Sequence, residues 1–375
     1  MKKITAFIKK EVVLCAAILL AVISAFFVLP DRGYLEYIDF RTLSILFCLM
    51  AVMAGFRKIG VFSRIAEALL IKVRSVRMIM LILVMLCFFC SMLITNDVAL
   101  ITFVPLTIIV LKIAGEEQYH RLLLPIVIMQ TIAANLGSML TPIGNPQNLY
   151  LYGQSGMSFS SFLGLMLPYS ALSLFLLLSW IFISTAKSRT LVQVTFQNPQ
   201  KITSKSKLMI YSLLFLLSLL TVARVISYWI VLAIVVVVIV ITDFTILKNV
   251  DYCLLLTFVG FFIFIGNIGR IPQIHDFLQN IINGREVITS IISSQFMSNV
   301  PAALLLSGFT DNYRSLIIGS NLGGLGTLIA SMASLISFKY VAAEAGISKG
   351  KYLGRFTIAN ILFLAILVGL WLLIR

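Results

Sequence analysis

The sequence predicts an all-α polytopic membrane protein of about nine or ten transmembrane helices, in two inverted repeats that each contain a re-entrant hairpin and a broken helix. Of its 375 residues, 60% are hydrophobic and 11% are charged, and its mean hydropathy is +1.06. These values lie outside the range of soluble globular proteins. Many apolar runs approach the roughly 20 residues that a membrane-spanning helix needs. Polar residues also interrupt the apolar sequence in the same way in both halves, which indicates a duplicated site.

The first predicted repeat covers residues 1–186. It contains, in order, two crossings, an amphipathic helix, a re-entrant hairpin, a broken helix and a final crossing: 12–29, 38–56, 57–77, 78–113, 122–152 and 161–185. The amphipathic segment has apolar residues at helical spacing, but its polar face carries too many charges to cross. We therefore expect it to lie in the membrane interface.

Two polar interruptions define the hairpin and the broken helix of this repeat. Thr95, Asn96 and Asp97 stand in the middle of an otherwise apolar run. The segment 122–152 begins as a helix and then meets a cluster of breaking and capping residues: Gly137, Thr141, Pro142, Gly144, Asn145 and Pro146. Proline removes a backbone donor and glycine permits irregular backbone, so the helix should break here. Asn145 is suited to cap a second half-helix, with Pro146 at its first position.

The second predicted repeat covers residues 223–375, after a polar cytoplasmic linker (187–207) and an extra helix (208–222). An offset of 212 residues lays Asp39 over Asp251. With shorter spacers in the second copy, the tips pair Asn96 with Asn299, and Asn135 to Gly137 pairs with Asn321 to Gly323. The second hairpin and broken helix are placed at 287–309 and 314–342, and further crossings at 226–242, 251–268 and 355–374.

Parity and charge predict how these repeats sit in the membrane. Four crossings return the first repeat to its starting side, and the extra helix makes the second repeat start from the opposite face, so the copies are inverted. The net charge is +15. With a cytoplasmic N-terminus, 22 of the 29 Lys and Arg fall on the cytoplasmic side, as expected for an inner-membrane protein. No basic patch with interleaved aromatics appears in a polar segment, so nucleic acid is not an expected partner.

The hairpins are predicted to re-enter rather than cross. The arms of the second, 287–297 and 301–309, would be roughly 14–17 Å long at about 1.5 Å per residue, against a hydrocarbon core of about 30 Å. The first hairpin has arms long enough to span, and its re-entry is inferred from the second copy. Both tips are then expected to meet halfway through the bilayer and to enclose one pocket.

Polar groups at membrane depth are costly, so they usually mark a site, although these residues could also serve only as helix caps. Amide ends of helices attract anions, whereas carbonyl ends and Asn or Asp oxygens coordinate small cations. The candidate substrate and ion site comprises Thr95, Asn96, Asp97, Asn135, Gly137, Thr141, Pro142, Gly144, Asn145, Ser298, Asn299, Asn321, Gly323 and Thr327. Sodium is expected, if at all, at Asn96, Asp97 and Asn299, with a proton as the alternative coupling ion and no other cofactor.

Two stretches, SMLITNDVALITFVPL and ANLGSMLTPIGNPQN, resemble the ion transporter superfamily, in particular its citrate-transporter-like and arsenite-permease-like branches. Divalent anion:sodium symporters and sodium/proton antiporters are relatives. The resemblance covers essentially the whole chain and implies inverted repeats and elevator-like alternating access. In the divalent-anion branch both tips read Ser-Asn-Thr, whereas here they read Thr95-Asn96-Asp97 and Ser298-Asn299-Val300. The Asn-Asp tip is more similar to the arsenite and antiporter branches.

The predicted function is secondary active transport of a small inorganic or organic anion, a carboxylate or an oxyanion, coupled to H⁺ or Na⁺. The alternatives are a Na⁺/H⁺ antiporter and an arsenite efflux permease. No P-loop of the G-x-x-x-x-G-K-[ST] type occurs in the sequence, so an ATPase would be a separate partner, expected only for the arsenite alternative. An enzyme is not expected, because the apolar segments lack catalytic constellations. The lipid bilayer is the expected partner, and a homodimer is left open.

Overall fold

The computed structural model describes residues 11–71, 73–186 and 202–375. Seventeen α-helices occupy these ranges, and nine stretches are long and apolar enough to cross a membrane. The all-helical membrane fold predicted from the sequence is therefore confirmed. The first half contains α1 Val12–Ala25, α2 Phe40–Lys58, α3 Val61–Leu70, α4 Val76–Ile94, α5 Asn96–Ile113, α6 Glu116–Ser138, α7 Pro146–Ser155 and α8 Phe159–Thr185. The second half contains α9 Lys205–Val222, α10 Tyr228–Asp243, α11 Tyr252–Gly269, α12 Pro272–Ile282, α13 Glu286–Met297, α14 Asn299–Ser307, α15 Tyr313–Leu322, α16 Met332–Ala343 and α17 Lys349–Ile374.

Three predicted boundaries need correction. Helix α1 ends at Ala25 rather than at 29, because the amides of Phe26 and Phe27 turn back onto carbonyls of the last turn. The amphipathic helix is limited to α3, since Gly60 at φ +80° ends the preceding helix and Ser75 caps the next one by accepting from the Met78 amide. The broken helix begins at Glu116 rather than at 122.

The linker region also differs from the prediction where it is described. Helix α9 begins at Lys205, inside the predicted linker, because the Ser204 side chain caps it by accepting from the Lys207 amide. The remainder of that linker, together with residues 1–10, lies outside the described residues.

Helix α12 was not predicted from the sequence. Its apolar residues recur at helical spacing, and several of them are exposed: Ile274, Phe277 and Ile281. This pattern is typical of a helix that lies along a membrane surface. Since α12 follows α11 as α3 follows α2, it is the counterpart of α3 in the second half.

With α12 included, α1–α8 and α10–α17 follow the same order of elements. Each half has two helices, a short amphipathic helix, a hairpin of two helices, a broken helix of two segments and a long final helix. Asp39 and Asp251 cap the second helix of each half, and each accepts from an amide three residues on at 2.9 Å. The inversion of the two halves relative to the membrane, and the repeat boundaries, stay predictions.

Helices of the first half pack directly on helices of the second half. Helix α1 packs on α11 and α10 on α2, while α5 packs on α16 and α14 on α7. Small residues permit a close approach of α1 and α11: a Cβ at Gly260 would lie 3.1 Å from the Ala17 Cβ. Such contacts between small residues are typical of helix packing in membranes.

The helices form two groups. The frame group consists of α1, α2, α9, α10 and α11, and the hairpin group consists of α4–α8 and α13–α17. The short helices α3 and α12 connect them. Within the frame group, Asp243 forms ion pairs with Lys58 at 2.7 Å and with Lys207 at 3.2 Å. Within the hairpin group, Lys112 forms an ion pair with Glu344 at 2.7 Å. These ion pairs therefore stabilise each group internally.

Candidate functional site

The two hairpin tips share an unusual backbone conformation. Thr95 has φ +70° and ψ 151°, and Ser298 has φ +73° and ψ 155°. Positive φ is uncommon for residues other than glycine, and strained backbone of this kind clusters at functional sites. In each hairpin, this single residue ends the incoming helix and starts the outgoing one.

The arms differ in length between the hairpins. Helices α13 and α14 have 12 and 9 residues, roughly 18 and 14 Å at about 1.5 Å per residue, and so are too short for a core of about 30 Å. Helices α4 and α5 have 19 and 18 residues and are long enough to cross. Re-entry of the first hairpin stays a prediction.

The first tip is held by the broken helix of its own half. The Asn96 side chain donates through Nδ2 to Asn135 Oδ1 at 3.0 Å, and its backbone amide donates to the Gly144 carbonyl at 3.2 Å. The Asp97 amide donates to Asn96 Oδ1 at 2.9 Å. The structure thus brings together four of the predicted site residues.

The threonines of the two broken helices play matching parts. The Thr141 hydroxyl donates to the Met92 carbonyl, and the Thr327 hydroxyl donates to the Gln295 carbonyl at 3.2 Å. Each acceptor lies three residues before its tip. The last carbonyls of a helix lack helical partners, so these hydroxyls satisfy the incoming arms.

Gln295 organises the loop of the second broken helix, and the sequence analysis did not identify it. Its Nε2 donates to the Gly323 and Leu325 carbonyls at 3.2 and 3.0 Å. Its Oε1 accepts from the Thr327 amide at 2.9 Å. In this loop Gly324 lies against the second tip, since a Cβ there would be 3.0 Å from Asn299 Nδ2.

The asparagines of the two Asn-Leu-Gly segments connect the halves. Asn135 Nδ2 donates to the Gly324 carbonyl at 3.4 Å, and Asn135 Oδ1 accepts from the Ser331 hydroxyl at 3.0 Å. Asn321 Nδ2 donates to Asn148 Oδ1 at 2.6 Å, and Asn145 Nδ2 donates to Asn321 Oδ1 at 3.4 Å. Both broken helices are therefore fixed to one another as well as to their hairpins.

Three of the predicted site glycines permit close backbone packing. A Cβ at Gly137 would lie 2.0 Å from the Phe88 carbonyl oxygen, and one at Gly144 would lie 2.0 Å from that of Ser138. A Cβ at Gly323 would lie 2.5 Å from Ser294 Oγ. Pro142 is buried in the loop between α6 and α7. These three glycines and Pro142 shape the loops around the site.

A small enclosure, the central cavity, lies where the tips and the broken helices meet. Its volume is about 10 Å³, close to that of one water-sized group, and it is lined by Asn96, Asp97, Pro146, Gln147, Leu254, Asn299, Val300, Ser331 and Met332. Helices α5, α7, α14 and α16 begin at Asn96, Pro146, Asn299 and Met332. Four helix N-termini, two from each half, therefore converge on one point.

The charge of this cavity follows from its lining. A helix N-terminus carries about +0.5 elementary charge, so four of them supply about +2. Ionised Asp97 contributes one negative charge. The lining of the central cavity contains no Lys or Arg among the described residues. Helices α4 and α13 end at Ile94 and Met297, so their negative C-terminal ends lie directly before the same two tips and offset part of this charge. A proton or cation on Asp97 makes the potential of the cavity more positive.

Asp97 also borders a second, larger space, the side cavity, of about 130 Å³. The two cavities share Asp97, Pro146 and Leu254. The side cavity is largely apolar and reaches Arg57, at the end of α2, and Asp251, before α11. One carboxylate oxygen of Asp97, Oδ1, is buried and has no hydrogen-bond partner in the described part of the chain.

The predicted sodium site would combine one carboxylate with amide oxygens. Asn96, Asp97 and Asn299 all line the central cavity, which is consistent with hard-cation chemistry. Asn96 Oδ1 already accepts from the Asp97 amide. Residues 11–71, 73–186 and 202–375 hold no group of three His, Cys, Asp or Glu side chains placed to bind a metal ion. The sodium site stays a prediction.

Gln147 and Ser331 line the central cavity but were not predicted. A sequence signal was present only for Gln147. Gln147 directly follows the capping pair Asn145-Pro146, and Ser331 precedes α16 as Asn145 precedes α7. The sequence offered no glycine or proline at Ser331 to draw attention to it.

A helical membrane protein in which paired hairpin tips and broken helices enclose a shared cavity has the architecture of a membrane transporter. The chain belongs to the citrate transporter family, whose sequence profile matches residues 4–313. The resemblance to the ion transporter superfamily is thereby confirmed.

Individual transporters are similar over most of the chain. An uncharacterized transporter of Methanocaldococcus jannaschii is 31% identical over 332 residues, covering 88% of this chain and 89% of the relative. The inner membrane protein YbiR of Escherichia coli is 32% identical, covering 86% of each chain. The silicon efflux transporter of rice is 34% identical over 138 residues, 37% of this chain and 27% of its own.

Proposed function

We propose that this transporter carries a small oxyanion or carboxylate across the inner membrane by secondary active transport, coupled to H⁺ or Na⁺. The observation that carries the proposal is the convergence of four helix N-termini on the central cavity. Such ends attract anions through the helix dipole and the free amides of the first turn, without a basic side chain. In α5 the Asn96 and Asp97 amides are already bonded to other groups, so the dipole is the main contribution of that helix. The asparagines at the two tips supply further amide donors.

Asp97 gives this site a means of coupling. When its carboxylate is ionised it opposes an anion in the same cavity, and a proton or Na⁺ on it removes that opposition. Cation and anion then strengthen one another's binding, as linkage requires. A transporter in which the two ions bind cooperatively moves them together.

The two helix groups support an elevator-like movement. The hairpin group contains both tips and both broken helices, and the frame group contributes Leu254 to the cavity wall. Between the groups, Tyr150 packs on Phe258 and Phe262, with ring centroids 6.3 and 5.5 Å apart. Aromatic packing of this kind forms few directional bonds, so one group can slide along the other. The amphipathic helices α3 and α12 connect the groups in each half.

Uptake into proteoliposomes tests the proposal. Purified protein is tested against citrate, succinate, phosphate, sulfate and arsenite, each with an inward H⁺ gradient, an inward Na⁺ gradient or neither. We expect uptake of at least one anion that one gradient stimulates, and its loss in Asn96→Ala. Gradient-independent uptake would contradict coupling, and no uptake of any anion would contradict the proposed function. Labelling of an introduced N-terminal cysteine from the cytoplasmic side tests the proposed orientation.

A second candidate is a permease for a neutral hydroxylated solute such as arsenite. The absence of Lys and Arg from the described lining of the central cavity favours it, as does the similarity to a silicon efflux transporter over part of the chain. Arsenite uptake that is independent of the H⁺ gradient, the Na⁺ gradient and the membrane potential would support this candidate.

A third candidate, Na⁺/H⁺ antiport, is favoured by the buried carboxylate oxygen of Asp97. Sodium-dependent changes of internal pH, measured with and without the anions, separate it from anion transport. Antiport persists without any anion, whereas coupled anion uptake does not.

A further inference from the structure

Gln147 is a buried side chain whose hydrogen-bonding groups are unused. It is 1% exposed, and neither Oε1 nor Nε2 has a partner in the described part of the chain. Buried amides are nearly always bonded, because an unpaired polar group in an apolar interior is costly. A carboxamide with both ends unpaired therefore calls for an explanation.

Two other glutamines of the site region, the buried Gln130 and the half-buried Gln295, behave differently. Gln130 accepts from Thr107 at 3.0 Å and donates to the Leu83 carbonyl at 3.2 Å. Gln295 binds three backbone groups of its loop. Gln147, in contrast, lies in the first turn of α7 and lines the central cavity. Its unused atoms belong to the one buried place where four helix N-termini meet.

Comparison of the halves argues against a purely structural role for Gln147. Asn145 directly precedes α7, and Ser331 directly precedes α16. Ala333 is therefore the residue of the second half that is equivalent to Gln147. Ala333 is fully buried and apolar. The same broken-helix geometry therefore forms without a glutamine. The first half also supplies Asp97 where the second has Val300, so the one carboxylate in the described lining of the cavity comes from the first half.

The size of the central cavity limits what Gln147 can bind. Its volume of about 10 Å³ corresponds to about one water-sized group. The adjoining side cavity, of about 130 Å³, shares Asp97 and Pro146 with it. A solute that places one oxygen against Gln147 can keep the rest of its body in the larger space.

We propose that Gln147 binds a hydroxyl group of the transported solute and selects for it. One O–H serves both ends of the carboxamide: it donates to Oε1 and its oxygen accepts from Nε2. The solute class is a small hydroxylated oxyacid or its anion, such as hydrogen phosphate, arsenite or a hydroxycarboxylate, rather than an oxyanion without O–H. This inference rests on the proposed function.

Matched solutes and variants test the assignment. Phosphate and sulfate share a tetrahedral shape, but only phosphate carries O–H at neutral pH, and tricarballylate is citrate without its hydroxyl. We expect the wild type to prefer the hydroxylated member of at least one pair, and Gln147→Leu to reduce that preference by about tenfold or more, because a site that hydrogen-bonds an OH discriminates strongly against its loss. The control is Gln273→Leu, at an exposed position of α12, which should keep the preference.

Thermal melting without solute distinguishes a solute-binding role of Gln147 from a structural role. A structural glutamine would lower the melting temperature when replaced. Gln147→Leu removes two unpaired polar atoms from the interior, so its melting temperature should equal or exceed that of the wild type. A lower melting temperature, or an unchanged solute preference in Gln147→Leu, would overturn the assignment and indicate that water alone occupies the cavity.

The failures can be told apart. If Asn96→Ala loses uptake while Gln147→Leu keeps both uptake and preference, the proposed function stands and Gln147 is not a solute ligand. If the wild type takes up none of the solutes under any gradient, the proposed function fails, and the assignment of Gln147 fails with it.

Discussion

Asp97 lines both cavities, together with Pro146 and Leu254, and it is the only carboxylate in the lining of the central one among the described residues. Its position at the start of α5 lets its charge act on the same point as the four helix N-termini. In the second half Val300 takes this position. The charge that couples the ions is therefore concentrated in one half of a pseudo-symmetric site.

Replacing Asp97 by Asn should uncouple transport. The amide has the shape of the protonated carboxyl but cannot ionise, so anion uptake in Asp97→Asn should no longer respond to an H⁺ or Na⁺ gradient. Proteoliposome uptake with and without each gradient measures this. Asp276→Asn, at an exposed position, should leave the response unchanged. A wild-type gradient response in Asp97→Asn would assign coupling to another group.

Gly144 supports the site through its lack of a side chain. A Cβ there would lie 2.0 Å from the Ser138 carbonyl oxygen, while the Gly144 carbonyl must accept from the Asn96 amide. Gly144→Ala should therefore lower the free energy of unfolding by about 1–3 kcal/mol, the usual cost of overpacking. Thermal melting in detergent measures the effect.

Gly164→Ala is the matched control, since no atom lies within 4 Å of its added Cβ. It lies inside α8, where alanine is favoured by roughly 0.5–1 kcal/mol, so a small rise in stability is expected. Equal melting of Gly144→Ala and the wild type would show that the loop can shift without loss.

Residues whose type breaks a pattern were open to prediction from the sequence. Asn96, Asp97 and Asn299 interrupt apolar runs, and Gly144 lies in a cluster of breakers. Gln147 lay beside these signals, but what distinguishes it is the lack of a partner for its amide, and only tertiary structure can show that. The site role of the predicted residues stays a prediction.

At the scale of elements, each hairpin depends on the broken helix beside it. Thr141 and Thr327 each bind a carbonyl of the incoming arm, and the tips face the N-termini of α7 and α16. A hairpin and a broken helix of one half therefore form a unit. Displacement of one should displace the other.

Thr141→Val tests this dependence. Valine keeps the shape of threonine but leaves the Met92 carbonyl without its donor, and an unsatisfied buried acceptor costs about 1–3 kcal/mol. We expect lower thermal stability and weaker solute binding, measured by melting with and without solute. Thr102→Val is the control, because the Thr102 hydroxyl bonds only within its own helix, to Val98. Equal effects of the two changes would contradict a specific role for Thr141.

Long apolar elements were predictable, but their ends were less so. The positions of α2, α10 and α11 agree with the predicted crossings within a few residues, because an apolar run of membrane length permits few alternatives. The amphipathic helix was predicted too long since charge alone does not show where Ser75 caps the next helix. Helix α12 was missed because its apolar residues are separated by polar ones and its length is only 11 residues.

At the scale of the whole molecule, the two groups differ in how they are held. Ion pairs fix helices to one another inside each group. Across the boundary, the contacts include aromatic rings, a bond from Gln154 to Asp39, and bonds from the Arg224 side chain to the carbonyls of Tyr152 and Gly153. Movement of the two groups as rigid bodies would break the Gln154 and Arg224 bonds and leave the ion pairs inside each group intact.

A disulfide across this boundary tests the movement. Ile265 lies in α11 of the frame group, and Gly308 follows α14 of the hairpin group. A Cβ at Gly308 would be 3.6 Å from the Ile265 Cβ, within the range of about 3.5–4.5 Å that disulfides require. In a background without the five native cysteines, Ile265→Cys with Gly308→Cys should form this bond on oxidation.

The oxidised double variant should bind solute but not transport it, because the hairpin group can no longer move along the frame. Uptake should return on reduction, and each single variant should be insensitive to oxidant. The melting shift with solute shows whether binding survives. If the cross-linked protein transports at the wild-type rate, the two groups do not move relative to one another at this boundary, and alternating access must arise within the hairpin group, by opening of the tips at Thr95 and Ser298.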